Sequence, residues 1–255
     1  MEPWKTGITT SDETSLFIHG YEVASLMKEK TFTDVIYLLH QGRLPSPKER
    51  ALMDAIFIGV SDHGPSAPSA AAARIVASGN RRSLEASIAA GVLAMGDVHG
   101  GAAYECVQMI GQGVDLSQRE SISIEEAACR LAEQAKSEHR RLPGLGHRVH
   151  TTDPRTRVLF TLARECSLSG KGIEFMEALE EAARAQIRSL PINIDGALSA
   201  VLYDLGFSPH IATLIFIIGR VAGVTAQVME EYRREKPMRV RIPVIYDGPP
   251  PRKLE

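Results

Sequence analysis

Start and stop signals for helices recur along nearly the whole of this chain, and strand signals are nearly absent. Thr33 is placed to cap a helix carrying Val35, Ile36, Leu38 and Leu39, and Gly42 to close it in the left-handed conformation. Ser46-Pro47-Lys48-Glu49 is a capping box with proline at the first helical position, leading into Leu52, Met53, Ile56 and Phe57 at helical spacing. Pro68 to Ser78 reads as an Ala-rich helix stopped by Gly79-Asn80. Ser83 to about Gly96 reads as a second, whose Ala86, Ala89 and Ala90 let neighbouring backbones approach closely. Ser123 with Glu126 boxes a helix ending near Lys136, and Asp153-Pro154 opens another with Val158, Leu159 and Leu162. Gly172 to Leu190 is charged and amphipathic, with Pro191 as its stop. A short helix is expected from Asp195 to Leu205, and Ser208-Pro209 then starts a long one through Arg220 to about Glu235. With Thr9 to Tyr21 as its one hairpin candidate, the pattern predicts an all-α fold of about ten helices and an extended Arg- and Pro-rich tail.

Composition narrows the function classes. The chain has 255 residues, 44% of them hydrophobic and 24% charged, which suits one large domain or a large and a small one. Its net charge of −2 gives no electrostatic reason to expect nucleic acid or an anionic membrane as partner. Cys106, Cys129 and Cys166 are odd in number and lack CxxC spacing, so neither a disulfide framework nor a metal site is indicated, and a reducing cytoplasm is the simplest setting. Met1-Glu2-Pro3-Trp4-Lys5 lacks the charged-then-apolar layout of a secretory signal. Ile211 to Met229 is apolar but interrupted by Arg220 and Gln227, so it reads as a buried helix rather than a membrane span.

Polar clusters sit where the helical pattern breaks. In Asp97-Val98-His99-Gly100-Gly101-Ala102 a histidine precedes two glycines that permit close backbone approach, although a helix C-cap would account for the segment alone. Pro143-Gly144-Leu145-Gly146-His147-Arg148-Val149-His150, followed by Thr152-Asp153-Pro154-Arg155, is a cation-rich loop suited to carboxylates or phosphates. In Ile192-Asn193-Ile194-Asp195-Gly196 a lone carboxylate starts a short helix inside apolar sequence. It reads equally as an N-cap or as an acid of raised pKa that acts on carbon. Arg220, in an apolar helix, needs an anion, either a structural carboxylate or a bound polycarboxylate. No Walker loop, GxGxxG after a strand, HExxH or GxSxG occurs.

Taken in order, these clusters resemble the citrate synthase superfamily. Tyr37-Leu38-Leu39 with Gly42-Arg43-Leu44-Pro45, Asp62-His63-Gly64, His99-Gly100-Gly101-Ala102, Gly146-His147-Arg148-Val149 with Asp153-Pro154-Arg155, Asn193-Ile194-Asp195, Gly219-Arg220-Val221-Ala222-Gly223 and Tyr246-Asp247-Gly248-Pro249 are similar to its successive motifs. The Trp4-Lys5-Thr6-Gly7-Ile8 opening, Asp62-His63-Gly64-Pro65 and Arg241-Ile242-Pro243 resemble its citryl-CoA lyase branch, including the corresponding module of ATP-citrate lyase.

That resemblance implies a large helical domain from residues 1–100 and 191–255, with a smaller CoA-side domain at 101–190 that closes over the thioester. It implies His99, His147 and Asp195 as the catalytic group, His63, Arg155 and Arg220 as ligands of the oxaloacetate portion, and Arg241 contributed by a neighbouring subunit of a homo-oligomer. The expected reaction is cleavage of citryl-CoA to acetyl-CoA and oxaloacetate, with the CoA thioester as substrate and no permanently bound cofactor. The alternatives are a citrate or 2-methylcitrate synthase and a non-catalytic subunit that binds citrate or CoA. Arg148, Arg81 and Arg82 are candidates for the CoA phosphates by charge alone.

Overall fold

The structure, a computed structural model, describes residues 2–97, 99–146 and 153–253. Its described residues form a small antiparallel sheet and a body of helices, as the all-α reading expects. The sheet is a meander of β1 (Thr9–Ser11), β2 (Leu16–Ile18) and β3 (Tyr21–Glu22), with Thr10 opposite Phe17 and Ile18 opposite Tyr21. The helices are α1 (Val23–Glu29), α2 (Phe32–Gln41), α3 (Pro47–Val60), α4 (Pro68–Gly79), α5 (Leu84–Leu93) and α6 (Ala102–Glu120), then α7 (Ile124–Ser137), α8 (Pro154–Glu165), α9 (Lys171–Gln186), α10 (Ile194–Asp204) and α11 (Pro209–Arg234).

Most ends follow the capping chemistry in the sequence. Ser46 and Glu49 exchange side-chain and backbone bonds at the start of α3, and Asp153 accepts from the Arg155 amide at the start of α8. Gly42 closes α2 with φ of 71°. The cap of α2 is Thr31 rather than Thr33, because Asp34 completes a reciprocal box with Thr31. Thr33 lies inside the helix, where its hydroxyl bonds Asp54. Two helices stop short of their expected ends, α5 at Leu93 and α9 at Gln186. After α9 the chain extends, and Pro191 to Asn193 take backbone partners at Gly144 and Gly146 instead of continuing the helix.

Among the described residues the apolar side chains form one large core and a small second cluster of Ala73, Ala77, Val224 and Val228 between α4 and α11. α10 is buried along almost its whole length and packs on α6, α8 and α9, while α7 lies along α9. The α4–α5 pair packs against α11, whose buried stripe of Ala212, Ile215, Phe216, Gly219, Arg220, Gly223 and Gln227 follows helical spacing. α11 is long and apolar enough to cross a membrane by composition, but in this fold that stripe faces α3, α4, α5 and α6. At Gly223 a Cβ would lie 2.9 Å from the Asp62 Cβ, so only glycine lets the turn after α3 reach α11. That approach brings the Asp62-His63 turn and Arg220 to one place.

Candidate active site

A cavity of about 320 Å³ opens where α4, α8, α10 and α11 converge, and its walls include His63, His99, Gly146, Arg155, Asp195 and Arg220. Five of the seven residues expected at the site thus meet around one space. His147 lies outside the described residues, although Gly146, which precedes it, lines the cavity. Arg241 is exposed in the tail and is not part of the wall.

Asp195 is placed by its neighbour. Asn193, not Asp195, caps α10: its Oδ1 accepts from the amides of Asp195, at 3.0 Å, and Gly196, at 3.1 Å. The N-cap reading of Asp195 is thereby overturned, and its carboxyl is left for the cavity. Oδ1 of Asp195 is enclosed and has no hydrogen-bond partner among the described residues. Burial pushes this carboxyl above the usual range, with Arg220 and Arg155 pulling it back and Asp153 adding to the rise.

His99 approaches the first turn of α4. The Ser69 amide donates to its Nε2 at 3.2 Å, and the Ser69 hydroxyl lies 3.0 Å from the same nitrogen. A backbone amide can only donate, so Nε2 accepts and the neutral ring carries its proton on Nδ1. The ring meets Phe216 edge to face, with centroids 6.3 Å apart.

The arginines are held differently. Arg155 makes a fork to Asp153, Nε to Oδ1 at 3.0 Å and Nη2 to Oδ2 at 2.7 Å, and a third bond to the Gly59 carbonyl at 3.1 Å. Arg220 is only 3% exposed, yet no carboxylate among the described residues lies in salt-bridge range of it. Its Nε donates to the Val60 carbonyl at 2.7 Å, its Nη1 has a long contact to Ser69 Oγ at 3.5 Å, and its guanidinium stacks 4.8 Å from the Phe216 centroid. Burial works against its charge, which Asp62 and Asp195 favour. A buried cation whose remaining N–H groups line a cavity is suited to an anionic ligand. His63 is exposed at the rim, on a turn held by the Gly64 amide donating to Asp62 Oδ2 at 3.1 Å and by Gln227 on the Asp62 carboxylate.

Sequence reasoning did not single out Ser69, Phe216 or Asp153 for the site. Ser69 sits in an Ala-rich run with nothing to mark it, and Phe216 looks like any core aromatic of α11. Arg81, in contrast, is withdrawn from the CoA-phosphate candidates. Its guanidinium donates to the carbonyls of Glu231 and Glu235, at 3.1 and 2.9 Å, and stacks on Tyr232.

Comparison with known proteins places the chain in a family. The family model "Citrate synthase, C-terminal domain" matches residues 45–241. The solved citryl-CoA lyase of Hydrogenobacter thermophilus is 38% identical, superposes with a TM-score of 0.90, and is covered over 98% of its length by all of this chain. The ATP citrate lyase of Methanothrix soehngenii, solved with citrate and coenzyme A, shares the fold at 21% identity and a TM-score of 0.81, over 98% of this chain and 43% of that one. The glyoxysomal citrate synthase of Cucurbita maxima is 30% identical over 212 residues, which are 80% of this chain but 39% of the relative. The chain therefore spans well under half of that curated relative.

Proposed function

From the premise that this chain belongs to the citrate synthase family, we propose that it cleaves citryl-CoA to acetyl-CoA and oxaloacetate. The observation that carries the reading is the pairing of two features on one cavity, an enclosed Asp195 held towards its neutral form and a buried Arg220 with no carboxylate in salt-bridge range among the described residues. The lyase direction is favoured over the synthase direction by similarity to the Hydrogenobacter thermophilus lyase along nearly its whole length.

In this reading Arg220, Arg155 and His63 hold the carboxylates of the oxaloacetate portion. His147 takes the proton from the tertiary hydroxyl as the adjacent carbon–carbon bond breaks, and the bonding pair passes into the enolate of acetyl-CoA. His99 donates from Nδ1 to the developing enolate oxygen, a contact typically worth about 3 kcal/mol of barrier. Neutral Asp195 then protonates the enolate carbon, which leaves acetyl-CoA and oxaloacetate with the hydroxyl proton on His147. The active form is a homo-oligomer, at least a dimer, in which Arg241 of one copy completes the site of the next. Residues 101–190 close over the CoA moiety and exclude water, which keeps the thioester from hydrolysis.

Supplying citryl-CoA to the pure protein and following the products tests the reading. Oxaloacetate and acetyl-CoA are expected, and citrate with free CoA would reject it. A synthase reading is favoured by the similarity to curated citrate synthases, and it predicts CoA release from acetyl-CoA and oxaloacetate.

A further inference from the structure

Asn193 belongs to the acid-bearing motif by sequence, but its side chain does more than cap a helix. While Oδ1 accepts from the first amides of α10, Nδ2 donates to the Gly146 carbonyl at 2.8 Å. Gly146 is the residue before His147 in the chain, and Asp195 is two residues after Asn193. One amide group therefore touches both segments that carry the proposed proton-transfer groups.

The surrounding backbone gives this contact its leverage. Leu145 and Ile192 form an isolated antiparallel bridge. The Gly146 amide donates to the Pro191 carbonyl at 2.7 Å, and the Asn193 amide to the Gly144 carbonyl at 3.0 Å. At Gly144, where φ is 81°, a Cβ would lie 2.6 Å from the Gly196 Cα and 2.7 Å from the Cys106 Sγ, so the two segments touch without intervening side chains. Beyond Gly146 the described backbone clip ends, and the Asn193 side chain is its last bond before His147.

We propose that Asn193 is a positioning residue, whose side-chain amide fixes the register of the Gly144 to Gly146 segment, which leads into His147, against the start of α10 that carries Asp195. The inference rests on the lyase reading for its kinetic consequence but not for its structural one. Misplacement of reacting groups by about 1 Å costs on the order of a hundredfold in rate, so a loosened register should appear in kcat rather than in KM.

The test uses Asn193→Ser. Serine caps a helix about as well as asparagine, but its one short hydroxyl cannot bond the α10 amides and also reach the Gly146 carbonyl. The full-length variant should keep its thermal midpoint and the slow amide exchange of Gly196 and Ala197. Exchange of the Gly146 amide should quicken, and kcat for citryl-CoA should fall by about tenfold or more with KM within about twofold. Asn193→Ala, which loses both functions, should show the same kcat defect together with a lower thermal midpoint. Unchanged Gly146 exchange in Asn193→Ser, or wild-type kcat, would overturn the proposal. If the wild-type protein does not turn over citryl-CoA, the lyase reading falls by itself, and the exchange measurement still decides the brace.

Discussion

In the proposed reaction Asp195 is the acid, and its raised pKa fixes the sign of a stability test. A carboxyl whose folded value lies above its unfolded one contributes most below the ordinary carboxylate range, and that contribution is lost as pH rises through the folded value. Asp195→Asn should therefore match or exceed the wild-type thermal midpoint at neutral pH, with the gap narrowing as pH falls and closing only below about pH 3, where the wild-type acid is neutral in the unfolded state as well. Its kcat should fall by about 10²–10⁴. Calorimetry across pH together with steady-state rates checks both halves. Arg220 supplies a second test through ligand binding. Oxaloacetate should raise the thermal midpoint of the wild type by mass action and give no shift in Arg220→Met, whose cavity lacks the buried cation. The sequence already marked both residues as polar intrusions in apolar helices. It offered Asp195 as the cap and did not weigh Asn193, because both side chains can cap and spacing does not say which carboxamide or carboxyl turns back to the helix.

At the scale of elements, Tyr37 and Arg43 of the N-terminal motif prove to form one joint with Glu49 between α2 and α3, in which Tyr37 and Glu49 are buried and Arg43 closes the joint from its exposed side. The Tyr37 hydroxyl donates to Glu49 at 2.8 Å, Arg43 forks onto both Glu49 oxygens at 2.6 and 3.1 Å, and Glu49 also completes the capping box of α3. The Arg43 guanidinium holds the Glu49 carboxyl down at about 2, aided by the Ser46 amide and the Tyr37 hydroxyl. A depressed acid contributes above its unfolded value and loses that contribution as pH falls through the folded one, here between about 4.5 and about 2. Glu49→Ala should cost about 2 kcal/mol at pH 7, and the difference from wild type in urea unfolding should shrink through that acid window. The capping boxes were legible because they are local, and the triad was not, because its closure depends on how α2 and α3 pack. The early end of α9 has the same cause. Gln186 is followed by helix-compatible residues, and only the pairing of Pro191 to Asn193 with Gly144 and Gly146 takes that stretch out of the helix.

For the whole molecule, the fold class was readable from punctuation and composition, whereas the destination of the tail was not. Arg239 is tied to Glu231 by bonds of 2.7 and 2.6 Å, but beyond it the chain is exposed, Ile245 at 92%. If Arg241 completes a neighbour's site, Arg241→Ala and Asp195→Ala should each be inactive alone, and mixing them after dissociation should restore activity to about a quarter of the sites in randomly paired dimers. No recovery on mixing would place the arginine's role elsewhere. The most direct test of the account is to cleave citryl-CoA in heavy water and weigh the acetyl-CoA. Proton delivery by a solvent-exchanged Asp195 predicts oxaloacetate together with acetyl-CoA carrying a single deuterium on its methyl group, and with Asp195→Asn both products should form about 10²–10⁴ times more slowly. Citrate and free CoA, or acetyl-CoA without deuterium, would contradict it.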